Sequence, residues 1–486
     1  MQTKTLAVRR QNTYLFPEKS RVLLRPFIPA QRDRIRSLLD RVFSLGEPEV
    51  DRLIIKVMEE FRNRHVGVES ILEARFEQVL EHFPAGPVPS RNRRLLIGAY
   101  CSCEYSLEAA ALFNPSIVAH PDQTGVDEGS LRFILSLRAT GEGHISSIEF
   151  RTGVIGPEGD VTIDPSSSYV TAAQPAPDPT YEKADIRLKL RDVGCLNACT
   201  NEILKPLPAS FPRSRLETRI ELYRRKRSRL GESQKNSLAT LRRLMESNYE
   251  IRFDDGRPLN ERAIFPISAD ERNGIEDARF VRFTSDDGTV SYYATYTAYD
   301  GHAILPKFLE TQDFVRFRIR TLNGKAIQDK GMAFFPRKLR GKYVMVSRQD
   351  GENLFIMMSD NLYDWNEKRL LLQPTAPWEY IQIGNCGSPV ETDEGWLLLT
   401  HGVGPMRTYC LGAILLDKDD PSKVIGQLKQ PLLEPTEDER EGYVPNVVYT
   451  CGALLHNGTL VIPYAMSDYA TSFASVPVHS LIASIK

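Results

Sequence analysis

The first part of the chain carries apolar side chains at the spacing of helices. Between about Ile28 and Phe83, apolar residues recur every three or four positions, which predicts several helices that each bury one apolar stripe. The stretch PAGPVPS, residues 84–90, ends this pattern because repeated prolines cannot continue a helix. We therefore expect an N-terminal helical segment over residues 1–90 and a domain boundary near residue 90.

Beyond residue 90 the pattern changes to short apolar runs separated by Gly, Asp and Asn. Runs such as LRFILSL, VSYYATYTAY, GKYVMVSR and GWLLLTHG predict strands. Their spacing is typical of a sandwich, a barrel or a propeller, and periodicity does not separate these folds. One interruption, at about residues 210–250, has helical spacing on both sides of Gly231. We expect an all-β domain over residues 91–486, with a two-helix insertion that packs on the N-terminal helices.

Composition narrows the possible partners. The 62 basic and 63 acidic residues leave a net charge of −1, so a general affinity for nucleic acid or for an anionic membrane is not expected. No apolar run reaches the length of a membrane span or of a signal peptide. The 7 cysteines lack the dense even spacing of a disulfide scaffold, and no His cluster accompanies them at metal-ligand spacing. We expect a cytoplasmic protein that binds a small molecule and no metal.

Several polar motifs lie at the ends of predicted strands, where their side chains can converge in a cleft. They include GIEDARF, DKGMAFFP, GNCGSP, THGV and MSD. Taken singly, each motif is weak evidence for a functional site. Asp277 followed by Arg279 is commonly a surface turn, and His401 can be a structural hydrogen-bond donor. Together they place one carboxylate among several cations. This combination favours an anionic co-substrate over water, because inverting hydrolysis ordinarily needs a second carboxylate.

In combination, these motifs are similar to those of glycoside hydrolase family 130, the mannoside phosphorylases. NPSI, GIEDAR, DKGMAFFPRKLRGKYVMVSR, GWLLLTHGV and LLDKDDPSKVIG occur in the family's order from about residue 110 to the end. The resemblance implies a five-bladed β-propeller with the site in its central cavity. The N-terminal helices and the insertion lie outside the common core, as in the longer β-1,2-oligomannan phosphorylase type. Pairing of these helices between subunits would give a homo-oligomer.

The resemblance also implies roles for individual residues. Asp277 falls on the family's single catalytic acid, which protonates a mannosyl hydroxyl that relays its own proton to the departing oxygen. Phosphate attacks the anomeric carbon from the opposite face, and the product is α-mannose 1-phosphate. This role needs a carboxyl group that is protonated near neutral pH. The implied sugar contacts are Asn114, Arg138, Asp277 and Asp468.

The implied phosphate site contains Lys330, Arg348 and His401. Gln382 stands where the family's phosphorylases usually carry a lysine, and an amide donates a hydrogen bond without a charge. Arg407 and Tyr409 can supply further donors. In the polar segment 138–155, His144 and Arg151 are candidates for the acceptor side. Arg279 completes the predicted substrate-binding set.

These observations predict inverting phosphorolysis of β-mannosides, most specifically β-1,2-linked manno-oligosaccharides, with inorganic phosphate as co-substrate and no cofactor. Two alternatives stay open. Hydrolysis of β-1,2- or β-1,4-mannosides is favoured by Gln382 and opposed by Lys330, Arg348 and His401. A non-catalytic sugar-binding propeller is opposed by Asp277, because binding alone does not need a proton donor.

Overall fold

The computed structural model describes residues 6–80 and 88–485, so most of the proline-rich break at residues 84–90 lies outside the described residues. The chain begins with two strands and four helices. They are β1 Arg9–Leu15, β2 Val22–Pro26, α1 Arg32–Phe43, α2 Glu47–Phe61, α3 Val68–Val79 and α4 Arg91–Tyr100. The helices α1–α4 share a core that includes Leu39, Val50, Phe76 and Leu96. The helical packing therefore continues past the boundary expected near residue 90, because α4 buries Leu96 and Ile97 against the earlier helices.

A series of strands follows, with four helices and a further strand inserted among them. The strands before the inserted helices are β3 Ser102–Ser106, β4 Ala111–Ala119, β5 Leu131–Thr140, β6 Ser146–Ile155, β7 Val161–Ile163, β8 Thr171–Ala172, β9 Gln174–Pro175 and β10 Thr180–Glu182. The inserted elements are α5 Lys183–Asp192, α6 Ala198–Leu204, β11 Ser210–Pro212, α7 Arg213–Arg225 and α8 Glu232–Ser247. The prediction of two helices on either side of Gly231 is confirmed by α7 and α8. The helices α5 and α6 were not predicted.

The rest of the described chain is mainly antiparallel strand, with short 3-10 turns and one terminal α-helix. Its first strands are β12 Tyr249–Arg252, β13 Arg262–Ile264, β14 Ile275–Thr284, β15 Val290–Tyr299, β16 Ile304–Thr311, β17 Arg316–Thr321, β18 Ala333–Phe334, β19 Tyr343–Ser347, β20 Leu354–Ser359 and β21 Arg369–Leu372. The last elements are β22 Gln382–Asn385, β23 Val390–Glu391, β24 Trp396–Val403, β25 Tyr409–Leu416, β26 Val424–Gln427, β27 Val448–Tyr449, β28 Leu454–His456, β29 Thr459–Met466, β30 Ala470–Pro477 and α9 Val478–Ile485.

Within the described residues, five sheets have four or more strands, and we number them in chain order. Sheet 1 is β4-β5-β6-β13-β8 with β7, and sheet 2 is β14-β15-β16-β17-β12-β9. Sheet 3 is β18-β19-β20-β21, and sheet 4 is β22-β24-β25-β26 with β23. Sheet 5 is β1-β30-β29-β27 with β28. The N-terminal strand β1 therefore completes the sheet formed by the last strands of the chain, and it pairs antiparallel with β30.

Five apolar clusters join these sheets in sequence. Phe150 and Phe280 belong to the cluster between sheets 1 and 2, and Phe308 and Met345 to the cluster between sheets 2 and 3. Further clusters join sheet 3 to sheet 4, sheet 4 to sheet 5, and sheet 5 back to sheet 1. Each sheet thus buries apolar area against two neighbours, and the series closes on itself. Burial on both faces fits the central strand WLLLTHGV, which is buried at every position.

The inserted helices form a unit with a core of their own. Leu190, Ile203, Leu216 and Leu241 lie in that core, which contains no residue of α1–α4. The sequence-based expectation that the insertion shares a core with the N-terminal helices is therefore wrong for the described residues. Among these residues, no helix is long and apolar enough to cross a membrane.

Candidate active site

A polar cavity of about 270 Å³ receives side chains from all five sheets or from the segments next to them. Sheet 1 supplies Asn114 and Arg138, and sheet 2 supplies Asp277. The strands of sheets 3, 4 and 5 and the segments next to them supply the other polar groups. Its lining residues are Asn114, Arg138, Asp277, Asp329, Lys330, Arg348, Gly351, Gln382, Arg407, Tyr409, Val444, Val447, Tyr449 and Asp468. Nine of the thirteen residues predicted for the site are in this set.

Backbone irregularities aim three of the polar side chains into the cavity. The pairing of β4 with β5 shifts register between Phe113 and Ser116, and the pairing of β14 with β15 shifts between Glu276 and Arg279. Asn114 and Asp277 lie within these shifts and have φ of 49° and 54°, while Asp468, in the turn after β29, has φ of 52°. A bulge turns a side chain out of the regular alternation of the strand. A positive φ costs free energy in residues other than glycine, and such strain concentrates at functional sites.

Asp277 is held from its side chain and from its backbone. Its Oδ1 accepts a hydrogen bond from Asn114 Nδ2 at 2.7 Å and lies 3.5 Å from Arg138 Nη1. Its backbone carbonyl accepts from Arg279 Nη1 at 2.9 Å. The other nitrogens of Arg279 donate to the Cys386 carbonyl and to the Tyr449 hydroxyl, each at 2.7 Å. Arg279 is thus buried beneath the cavity and does not line it, so it positions Asp277 and is not placed to contact a substrate.

The two aspartates of the cavity have opposite electrostatic surroundings. Burial acts to raise the pKa of Asp277, but the charges of Arg138, Arg279 and Lys330 and the Asn114 amide outweigh it and lower this pKa to about 2. Burial and the neighbouring Asp277 charge raise the pKa of Asp468 to about 7. The expectation that Asp277 is protonated near neutral pH is therefore not met among the chain's own groups, because the surrounding cations stabilise its carboxylate.

Arg138 is paired with Glu276, but three other cations of the cavity, Lys330, Arg348 and Arg407, are poorly paired. Arg348 is 7% exposed, and its Nη1 donates to His401 Nε2 at 3.1 Å. Its Nε is buried without a hydrogen-bond partner, and the described residues offer no carboxylate to its guanidinium. Lys330 Nζ lies 3.9 Å from Glu276 Oε2, at the limit of an ion pair. Arg407 Cζ lies over the Tyr409 ring, 6.0 Å from its centroid, and no ion pair of Arg407 occurs among the described residues. Buried charges are ordinarily paired, so this cavity is suited to an anion.

His401 does not line the cavity. It is fully buried, and its ring stacks on Tyr409 at 6.1 Å and meets Tyr449 edge to face at 4.9 Å. Because its Nε2 accepts from Arg348, this nitrogen carries no proton. Burial, followed by the charges of Arg348 and Arg279, holds the pKa of His401 well below its ordinary value. In this arrangement His401 accepts a hydrogen bond from Arg348 and can orient it, whereas its predicted cationic contact to phosphate stays a prediction.

Two residues of the predicted acceptor side lie elsewhere. Arg151 is buried in a cluster of two arginines and two glutamates, in which Arg21 and Arg151 each contact Glu108 and Glu149. This cluster ties the N-terminal segment to sheet 1, so Arg151 is not available to a substrate. His144 lies in the turn between β5 and β6, where its ring centroid is 5.5 Å from that of Tyr443. His144 does not line the cavity. Its partner Tyr443 is next in the chain to Val444, which does.

Three polar residues near the site were not predicted. Asp329 and Tyr449 line the cavity, and Glu276 Oε1 accepts from Arg138 Nη2 at 2.7 Å. Asp329 and Glu276 belong to motifs already named, since Asp329 precedes Lys330 in DKGMAFFP and Glu276 precedes Asp277 in GIEDAR, whereas Tyr449 lies outside these motifs. The proximity of Asp329 and Glu276 to the predicted residues along the chain was the available signal. No group of three or more metal-ligating side chains occurs in the part of the chain that the structure describes.

A larger cleft of about 570 Å³ lies along the edge of sheet 2, away from these residues. Its principal cation, Arg318, is paired with Glu250 at 3.2 Å and with Glu310 at 3.0 Å. The three arginines of this cleft are matched in number by the carboxylates Glu250, Glu310 and Asp313 that line it, in contrast to the surroundings of Arg348. The smaller cavity is therefore the better candidate for an active site.

Comparison with known proteins defines the class of this fold and site. A family profile described as beta-1,4-mannooligosaccharide phosphorylase, that of glycoside hydrolase family 130, matches residues 237–486. This match spans more than half of the chain, and the chain belongs to glycoside hydrolase family 130. The family predicted from the sequence motifs is thereby confirmed.

Individual relatives carry more specific names. The chain is 36% identical over 210 residues to a 1,2-beta-oligomannan phosphorylase of Thermoanaerobacter sp. (strain X514), covering 41% of this chain and 66% of that protein. It is 30% identical over 227 residues to a beta-1,2-mannobiose phosphorylase of Listeria innocua serovar 6a, covering 45% of this chain and 62% of that protein. Both matches span slightly less than two thirds of the relative. The solved complex of the Listeria innocua beta-1,2-mannobiose phosphorylase with beta-1,2-mannobiose superposes with a TM-score of 0.47 at 21% identity, covering 78% of this chain and 93% of that chain.

Proposed function

We propose that this protein is an inverting β-mannoside phosphorylase that acts on β-1,2-linked manno-oligosaccharides. It would use inorganic phosphate to release α-mannose 1-phosphate and a shortened acceptor. Relatives at 36% and 30% identity are named for phosphorolysis of β-1,2-linked mannosides, which supports this linkage. The observation that carries the proposal is the buried, unpaired guanidinium of Arg348 in the cavity that also contains Asp277.

Phosphate is the anion that best fits this part of the cavity. Arg348 offers two donors without partners, Nε and Nη2, and a guanidinium binds phosphate oxygens through paired N–H groups. Lys330 and Arg407 add two further positive charges. Gln382 lines the same cavity and contributes an amide at the position where the family's phosphorylases usually carry a lysine. The Tyr409 hydroxyl can donate one hydrogen bond.

The sugar side of the proposed site lies around Asp277. Asn114, Arg138 and Asp468 provide an amide, a guanidinium and a carboxyl group, which can bind several hydroxyls of one mannosyl ring. The strained backbone of Asn114, Asp277 and Asp468 holds these groups in fixed orientations before the substrate arrives. Such preorganisation supports the exact sugar pose that a proton relay through a ring hydroxyl requires.

In the proposed reaction, the Asp277 carboxyl group gives its proton to a mannosyl hydroxyl, and this hydroxyl gives its own proton to the glycosidic oxygen. The bond from the anomeric carbon to that oxygen breaks while a phosphate oxygen bonds the same carbon from the opposite face. The proton of hydrogen phosphate balances the reaction by restoring Asp277. Neighbouring cations lower the pKa of Asp277 to about 2. Asp277 can therefore act as the acid only when phosphate offsets part of their charge. Phosphate bound at Lys330 and Arg348 offsets their field and raises this pKa.

The closed series of five sheets supports a five-bladed β-propeller for the catalytic domain, with the cavity at the centre of the blades. In this arrangement β1 would close the last blade, and α1–α4 and α5–α8 would lie outside the blades. We further propose a cytoplasmic location, in which the seven described cysteines stay free thiols, and a homo-oligomer formed through the helical segments. No cofactor besides phosphate is part of the proposal.

Hydrolysis is the second candidate, because Asp329 adds a carboxylate to the cavity and Gln382 removes a charge. One assay separates the candidates. The protein is incubated with β-1,2-mannobiose or β-1,4-mannobiose, with and without inorganic phosphate, and mannose and mannose 1-phosphate are quantified. Phosphate-dependent release of mannose 1-phosphate is expected. Phosphate-independent release of mannose would show a hydrolase, and binding without turnover would show a sugar-binding protein.

A further inference from the structure

Three exposed aromatic rings form a contiguous row on sheet 5. Tyr14, Phe16 and Tyr469 are 50%, 55% and 40% exposed. The rings of Tyr14 and Phe16 stack with centroids 6.1 Å apart, and those of Phe16 and Tyr469 are 6.4 Å apart. We call these three residues the aromatic row. Single exposed rings need no explanation, but rings that touch one another form an apolar patch, and such patches mark interaction surfaces.

The chain builds this row from two distant segments. Successive strand residues point to opposite faces, so Leu15 packs into the core between sheets 5 and 1 while its neighbours Tyr14 and Phe16 face outward. β1 pairs with the beginning of β30, where Leu15 lies opposite Thr471. This register brings the end of β1 to Tyr469, the residue before β30.

The row begins at the edge of the proposed active site. Tyr469 directly follows Asp468, which lines the cavity, in the turn between β29 and β30. The backbone of this turn is fixed, because the Tyr469 carbonyl accepts from the Leu112 amide at 2.9 Å and the Tyr469 amide donates to the Met466 carbonyl at 3.0 Å. Tyr469 thus adjoins a cavity residue along the chain, and the ring contacts continue from Tyr469 to Phe16 and from Phe16 to Tyr14.

The chemistry of the row fits the faces of sugar rings. Aromatic rings bury apolar area while their hydroxyl groups remain available for hydrogen bonds. The hydroxyls of Tyr14 and Tyr469 have no hydrogen-bond partner among the described residues, so they can reach sugar hydroxyls. A pyranose has the same amphipathic character, with C–H groups on its faces and hydroxyls around its edge.

We propose that the aromatic row binds the acceptor sugars of a manno-oligosaccharide that follow the first acceptor sugar, beyond the two rings joined by the bond that is cleaved. The N-terminal segment, which lies outside residues 237–486, would in this way adapt the enzyme to chains longer than a disaccharide. This inference rests on the proposed function, because it assumes that the oligosaccharide enters the cavity with its terminal mannosyl ring.

The test compares a row variant with a control on short and long substrates. The row variant carries Tyr14→Ala and Phe16→Ala, and the control carries Phe27→Ala, an N-terminal phenylalanine that is 66% exposed and outside the row. For the row variant we expect kcat/KM for β-1,2-mannobiose to stay within about twofold of the unmodified protein. For β-1,2-mannotetraose we expect KM to rise by about 5- to 30-fold through the loss of two stacking contacts. The control should match the unmodified protein on both substrates.

Binding of mannotetraose, measured by calorimetry, keeps this inference separate from the proposed function. If the unmodified protein binds mannotetraose without turning it over, the proposed function is wrong, and weaker binding by the row variant still supports the inference. Equal binding and equal KM for the tetraose in both proteins would overturn the inference and leave the proposed function intact. A row variant that changes the particle mass in light scattering would show that the row is a subunit interface, which also overturns the inference.

Discussion

The substitution Arg348→Met tests the anion site most directly, because it should weaken phosphate binding without destabilising the fold. Methionine keeps most of the length and the apolar stem of arginine but removes the charge and all five donors. Arg348 is 7% exposed, and its Nη1 bond to His401 is its one hydrogen bond within the described residues. The guanidinium is therefore a buried charge that the folded chain leaves uncompensated.

The changes in phosphate affinity and in the free energy of unfolding can both be estimated from the contacts of Arg348. Hydrogen bonds to charged groups contribute about 1.5–3 kcal/mol each, so losing two bonds to phosphate should weaken its binding by about 100-fold or more. Replacing a buried ion pair by apolar side chains of similar volume often stabilises proteins by about 1–4 kcal/mol, and the same desolvation cost applies to the unpaired charge of Arg348. The lost hydrogen bond to His401 offsets about 1 kcal/mol of this gain. Without phosphate, Arg348→Met should therefore be as stable as the unmodified protein or up to about 3 kcal/mol more stable.

The assay is thermal unfolding with and without inorganic phosphate, together with titration calorimetry of phosphate binding. Phosphate should raise the unfolding temperature of the unmodified protein, because it binds the folded state alone, and it should not raise that of Arg348→Met. Arg337→Met is the matched control, since Arg337 pairs with Glu391 at 2.6 Å outside the cavity. This control should keep normal phosphate binding and gain no stability. Unchanged phosphate affinity in Arg348→Met, or a loss of stability without phosphate, would refute the reasoning.

Three further substitutions address the acid, the second aspartate and the missing lysine. Asp277→Asn should lower kcat for β-1,2-mannobiose by about 10²- to 10⁴-fold and leave phosphate bound, whereas the exposed-turn control Asp287→Asn should leave both unchanged, as product assay and calorimetry will show. The pKa of Asp468 is raised to about 7, so the folded state holds a proton that the unfolded state loses near pH 4. The free energy of unfolding should therefore fall as pH rises from about 4 to 7. Asp468→Asn should flatten this fall, and parallel unfolding curves for both proteins from pH 5 to 8 would contradict it. Gln382→Lys adds a charge to the anion site and should lower the KM for phosphate by about 5- to 10-fold, with the KM for mannobiose unchanged.

Local signals in the sequence were sufficient for much of the fold and for most of the cavity. The helices α7 and α8 follow from helical periodicity and from Gly231 between them. The cavity residues could be predicted because they occupy motifs at strand ends, and these ends converge when sheets pack side by side. The paired motif Asp277 and Arg279 also marked a functional turn, although Arg279 acts on the backbone beneath it.

The features that were missed depend on contacts between distant parts of the chain. Strand β1 pairs with β30 across more than 450 residues, and nothing within RRQNTYL indicates that partner. Arg151 resembles any polar residue of a strand until folding brings Glu108 and Arg21 to it. His401 is neutral because burial and a neighbouring arginine disfavour its charge, and neither can be recognised from THGV alone.

The electrostatics of the cavity also give a physical reason for phosphate in place of water. Arg138, Arg279 and Lys330 lower the pKa of Asp277, and an ionised carboxylate cannot start the proton relay. Water in the position of phosphate brings no charge and leaves this field unchanged. Phosphate neutralises part of the field and supplies the nucleophile in the same binding step. On the proposed function, the cations around Asp277 therefore select against hydrolysis even where Gln382 has reduced the charge of the anion site.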